Sequence, residues 1–132
     1  MNSAGADTAL NFNKGTNSIE SITFLRFCGN DNIEIWQMNL SNLTFEAGTL
    51  KDVSSTSLYN VENYSYTSSK RSCTLKTKSA GKFVIYSYKG GLVKLTPIVS
   101  SSPEEKTLSA GSEVVSFSGG TSYWYQYLIL KY

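Results

Sequence analysis

Chemistry in this chain must be done without histidine, because none of its 132 residues is one. That absence removes Ser-His-Asp and Cys-His nucleophilic catalysis, the usual zinc sites and the ordinary general base near neutral pH. Carboxylates remain, at Asp7, Glu20, Asp31, Glu34, Glu46, Asp52, Glu62, Glu104, Glu105 and Glu113. Glycoside hydrolysis needs two of them facing each other across a substrate, and none sits in a paired motif. Gly90-Gly91 and Gly119-Gly120 lack the G-x-G-x-x-G and G-x-x-x-x-G-K spacings that cradle phosphate, and no G-x-S-x-G elbow occurs. The expectation is a protein that is not an enzyme and uses no cofactor.

Three groups of residues can still bind something. Asn30, Asp31, Asn32 and Glu34 cluster side-chain oxygens of the kind calcium takes on sandwich loops. An Asx-turn accounts for the same residues without a metal. The tyrosines are the second group. Tyr59, Tyr64 and Tyr66 stand in a segment rich in Ser and Asn, and Tyr123 and Tyr125 open the last apolar run. Tyrosine combines apolar area with a polar tip, which suits sugar stacking, a subunit interface, or plain cross-strand pairing. Third, Cys28 and Cys73 either close one disulfide or remain two buried thiols, since spacing alone does not decide geometry.

Charge narrows the partners. The net charge is +2, too small to demand a polyanion, although Lys70, Arg71, Lys76, Lys78, Lys82, Lys89 and Lys94 follow one another with no acid between. Solvated positions on strands explain that run, and nucleic acid is not the expected partner. Charged residues are only 17% of the chain, the level of a secreted or virion surface protein. No apolar stretch approaches the ~20 residues of a membrane span. The opening MNSAGADTAL lacks the basic start and apolar core of a signal peptide. It fits either a virion protein or a mature secreted chain to which Met1 was added.

The elements that must position these groups are strands. Residues 1–18 are small and polar, without periodicity, and are expected to form an extended or disordered arm; residues 19–132 then make one domain. Alternation marks strands at Ser21–Cys28, Ile33–Leu40 (with a bulge near Trp36), Leu43–Phe45, Ser72–Thr77, Val114–Ser118 and Ser122–Tyr132. Glu46-Ala47-Gly48 is expected to close the third of these, and Ser54–Arg71 to be loop around one or two short strands. Lys82–Ile98 reads as a hairpin turning at Gly90-Gly91, with Lys89 facing Leu92 and Tyr86 facing Leu95. Ser118-Gly119-Gly120-Thr121 reads as a second hairpin turn, and Ser100–Glu105 as a loop. In the last strand Trp124, Leu128 and Leu130 are expected in the core, leaving the tyrosines to face solvent or a partner. No helical period persists for ten residues. The fold expected is all-β, an antiparallel, jelly-roll-like β-sandwich of eight to ten short strands.

Two stretches carry a family resemblance. Ser79–Leu95, SAGKFVIYSYKGGLVKL, resembles a strand pair of the jelly-roll carbohydrate-binding modules found on phage tail proteins and secreted glycan-binding proteins. Ile33–Thr49, IEIWQMNLSNLTFEAGT, is similar to the strand that brings their closing segment back through the core. The resemblance implies a non-enzymatic surface or virion module, phage-like, that adheres to glycan or to neighbouring subunits, copies of itself included. A secreted lectin is the alternative, and a membrane-active sandwich toxin a further one. Either of the first two is expected outside the cell or on a virion surface. No site residue is carried over from the family.

Overall fold

The computed structural model describes residues 18–28, 33–50, 55–67, 69–91, 102–119 and 123–132, without the side chains at 27, 28, 89, 123 and 124. It is all-β. Among the described residues nine strands run in chain order as β1 (Ser21–Cys28), β2 (Ile33–Asn39), β3 (Thr44–Thr49), β4 (Tyr59–Tyr66), β5 (Arg71–Thr77), β6 (Gly81–Gly91), β7 (Glu104–Leu108), β8 (Glu113–Gly119) and β9 (Tyr123–Lys131). Six form one antiparallel sheet in the order β3-β2-β1-β9-β6-β7, and three form another in the order β4-β5-β8. No helix among the described residues is long and apolar enough to cross a membrane.

The core lies between the sheets. The large sheet contributes Leu25, Ile33, Ile35, Phe83, Ile85, Tyr125 and Ile129, and the small one Tyr59, Val61, Cys73, Leu75, Val114, Val115 and Phe117. Phe117 stacks on both Tyr125 and Tyr127, with ring centroids 5.1 and 5.7 Å apart. These offset aromatic contacts tie β8 to β9 across the gap. Tyr125 and Tyr127 therefore face the opposite sheet. That corrects the expectation that they face solvent or a partner, while Leu128 and Leu130 are fully buried as expected, on the other face of the strand. On that outer face they pack with Val84 and Tyr86, their cross-strand partners, and with Ile22 and Tyr132. A central strand apolar on both faces is buried on both.

Several local expectations change. β2 pairs without interruption to both β1 and β3, so there is no bulge at Trp36. The apolar phase shift arises because Gln37, not an apolar residue, holds the inward position after Ile33 and Ile35. Trp36 stacks on Phe24 outside. β3 continues through Glu46, Ala47 and Gly48. β4 is a full strand where loop was expected. A bulge between Glu62 and Ser65, with Asn63 at φ 53°, shifts its phase so that Tyr64 and Tyr66 follow Tyr59 and Val61 toward the core.

The two glycine pairs do not turn hairpins. β6 runs on through Gly90 and Gly91, which pair with Trp124 and Tyr123 of β9, and Lys89 pairs with Tyr125. The positions expected opposite them, 92–98, lie outside the described residues. β7 forms where loop was expected, antiparallel to β6. β8 and β9 belong to different sheets, so the chain crosses between layers after Gly119. A side chain at Gly119 would meet the Tyr125 hydroxyl at 2.3 Å, and that close approach requires glycine.

Candidate functional site

The sandwich opens along one side, where the edge strand β7 of the large sheet stands opposite the edge strand β8 of the small one. β6 and β7 are in register with Ile85 opposite Glu104 and Phe83 opposite Lys106. That parity turns Glu104 and Lys106 toward the inter-sheet space. β8 closes the other side with Glu113, Val114, Val115 and Ser116. A cleft of about 300 Å³ results, floored by Ile85 and Tyr127 and rimmed by Ser87, Ser102, Glu104 and Glu113.

Lys106 organises it. Its Nζ donates to the Val114 carbonyl oxygen at 3.0 Å and lies 3.5 Å from Glu104 Oε1, so one ammonium spans from β7 to β8. Glu104 and Glu113 are exposed, leaving carboxylate oxygens open to solvent. Ser116 is engaged, its hydroxyl 2.8 Å from that of Thr74. Burial pushes the Tyr127 hydroxyl well above the ordinary tyrosine range, and Tyr125 and Cys73 add to the shift. It is a neutral phenol at physiological pH, able to donate as well as accept. Acceptors, donors and a partly apolar floor thus meet in one concavity.

A second polar group lies inside the sandwich, at the end where β1 begins. Thr23 faces Gln37 across the β1–β2 ladder, and Ser21 follows two residues away on the same face. Thr56 donates to Gln37 Oε1 at 2.9 Å. Ser21 Oγ, Thr23 Oγ1, Gln37 Nε2 and the Tyr59 hydroxyl have no protein partner of normal hydrogen-bond geometry. Burial pushes the Tyr59 hydroxyl far above its ordinary value, and the neighbouring Thr23 hydroxyl only partly offsets it. Beside this group Lys131, 4% exposed, is paired with Glu20.

The residues singled out from sequence do not converge. Tyr59 is 1% exposed and Tyr125 7%, so both are core residues with no surface to offer a ligand. Tyr64 and Tyr66 are half-buried against the same core, and the Tyr66 ring carries the buried Arg71 guanidinium 3.7 Å from its centroid. The Tyr123 side chain lies outside the described residues. So do Asn30, Asp31 and Asn32, while Glu34 is ion-paired to Arg26 at 3.1 Å. No group of three metal-ligating side chains occurs among the described residues. Cys73 is a buried free thiol that burial raises to about 12, and the Cys28 side chain lies outside the described residues.

The basic run is also dispersed. Arg71 is buried, Lys76 pairs with Glu62 at 3.3 Å, and Lys82 pairs with Glu105 at 3.4 Å. Sequence places Glu104 and Glu113 among the carboxylates and Tyr127 among the tyrosines of the last strand, but only the β6–β7 pairing and the placement of β8 in the sheet facing β7 and β9 group them with Lys106. Comparison with protein-family models, with curated proteins and with solved structures finds no match to this chain.

Proposed function

We propose that this protein is a non-enzymatic recognition module of a virion or extracellular surface, and that it binds a saccharide unit in the cleft between β7 and β8. The cleft itself carries the reading. Glu104 and Glu113 supply acceptors, Lys106 and the Tyr127 phenol supply donors, and Ile85 with the Tyr127 ring supplies apolar floor. A polyhydroxylated ring needs that mixture, with a few convergent polar groups fixing its orientation. A volume of about 300 Å³ suits one or two sugar rings rather than a nucleotide cofactor. The resemblance of Ser79–Leu95 to glycan-binding jelly-roll modules points the same way, and a secreted lectin would use the same cleft. The low charge fraction fits a surface or extracellular setting.

Saturation-transfer NMR against a panel of neutral and acidic mono- and disaccharides tests it. At least one should bind the wild type at millimolar concentration or below. Glu113→Gln and Tyr127→Phe should each weaken that ligand about tenfold while leaving the circular dichroism unchanged, since each removes one group worth about 1.4 kcal/mol. A panel with no binder, or binding that both variants leave intact, sinks the proposal.

A further inference from the structure

Every open sheet has edges, and an edge strand is a template for another strand unless something blunts it. Here β3 and β7 end the large sheet, and β4 and β8 end the small one. Three of the four are guarded. β7 reads Glu-Glu-Lys-Thr-Leu, placing three charges in a row. β4 carries Glu62 and is bent by the bulge after it. β8 begins at Glu113 and breaks register against β5 between Leu75 and Lys76.

β3 is the least guarded, with a single charge, Glu46, and neither bulge nor register break. Its sequence Thr-Phe-Glu-Ala-Gly-Thr holds no proline and no lysine, and its six residues pair with β2 in unbroken register. All but Glu46 are exposed. Phe45, 59% exposed, stands opposite Met38, 36% exposed, on the outer face, and Leu43 at the adjoining turn is 81% exposed. The turn is held in shape, since Asn39 Oδ1 accepts from the Ser41 backbone and Asn42 Oδ1 from the Thr44 backbone.

We propose that β3 pairs with β3 of a second copy of this chain, joining two six-stranded sheets edge to edge about a twofold axis through Ala47. The hydrogen-bond alternation selects the register. Leu50 donates its backbone N–H to Ile33 O at 2.8 Å, continuing the β2–β3 ladder. Alternate residues of an antiparallel strand turn their backbone groups to opposite sides. Glu46 and Gly48 therefore spend theirs on β2, and Phe45, Ala47 and Thr49 turn theirs outward.

A twofold axis normal to the sheet keeps the same face of both copies up, so facing residues must share strand parity. Centring on Ala47 sets Phe45 opposite Thr49 and engages all three outward residues of each copy, six backbone hydrogen bonds in all by ladder geometry. Glu46 then faces Gly48, which has open space where a Cβ would be. Centring on Glu46 engages only Phe45 and Ala47 and sets two carboxylates against each other. The interface lies at the opposite edge of the large sheet from the cleft and does not depend on any saccharide.

Sedimentation velocity between 1 μM and 1 mM, without saccharide, reads the association directly, and the expected result is a concentration-dependent dimer. Ala47→Pro deletes an outward N–H and no β2 bond, and should weaken the dimer at least 30-fold with the monomer fold retained by circular dichroism. Phe45→Lys, at an exposed site the fold does not need, should do the same and stands in should the proline variant misfold. Ala47→Cys brings two thiols together at the axis and should oxidise to a cross-linked dimer beyond any wild-type background. A monomer at every concentration, a dimer indifferent to Phe45→Lys, or a dimer in which Ala47→Cys does not cross-link would overturn the proposal.

Discussion

Raising the pH should loosen this fold in a way that can be traced to one thiol. Cys73 sits on the central strand of the small sheet, and burial holds its proton to about 12 against an ordinary value of 9.0. The folded state keeps that proton where the unfolded chain releases it. The stabilisation is therefore complete below pH 9 and declines as the pH rises toward 12. Each unit of that interval costs about 1.4 kcal/mol, so roughly 1.4 kcal/mol is gone by pH 10 and about 2.7 kcal/mol by pH 11. Tyr59 and Tyr127 are raised by burial in the same direction, but their contribution begins only above pH 10, the ordinary tyrosine value.

The interval from pH 9 to 10 thus belongs mainly to Cys73. Urea unfolding followed by tryptophan fluorescence at half-unit steps from pH 7 to 11, with reductant present, measures it. Cys73→Val keeps the apolar volume and removes the proton. Its stability relative to wild type should rise by about 1.4 kcal/mol between pH 8 and pH 10. A relative stability that stays constant across that range would refute the reasoning, because it would mean that the thiol ionises as readily folded as unfolded.

Two further changes probe the packing. Leu75→Ala empties a fully buried site on β5, whose both neighbours are strands of the small sheet, and should cost about 3 kcal/mol in urea unfolding. The Glu20–Lys131 pair should respond asymmetrically. Lys131 is 4% exposed and Glu20 44%, so Glu20→Gln strands a buried ammonium and should cost about 2 kcal/mol, whereas Lys131→Met leaves a carboxylate that water can reach and should cost under about 0.5 kcal/mol. Equal costs, or the reverse order, would show that Lys131 gains its solvation elsewhere.

The strands were legible where one face is apolar and the other polar, and the errors fall where that contrast fails. β1 and β5 alternate against clear turns, and their bounds follow from the residues. β2 misleads because its inward row ends in Gln37, held by Thr56 from a distant part of the chain. β4 misleads because a bulge at Asn63 moves its tyrosines from odd to even positions without moving them to the other face. Period alone reports neither event.

β9 is the decisive case for the site. Its faces offer Tyr125, Tyr127 and Ile129 on one side and Leu128 and Leu130 on the other, and hydrophobicity ranks the leucines as the core. Both leucines are indeed buried, and what the ranking misses is Phe117, which stacks on the two tyrosines from the opposite sheet. Tyrosines read as a free binding surface are thereby spent on joining the sheets. Tyr127 alone reaches past the stack into the cleft, where β7 and β8, consecutive in the chain but in different sheets, bring Glu104, Lys106 and Glu113 within one concavity. Glu104, Lys106 and Glu113 lie close together in sequence, but nothing in their spacing tells that β7 and β8 go to different sheets and leave a gap between them. The site exists only once Lys106 on one layer has found the Val114 carbonyl on the other.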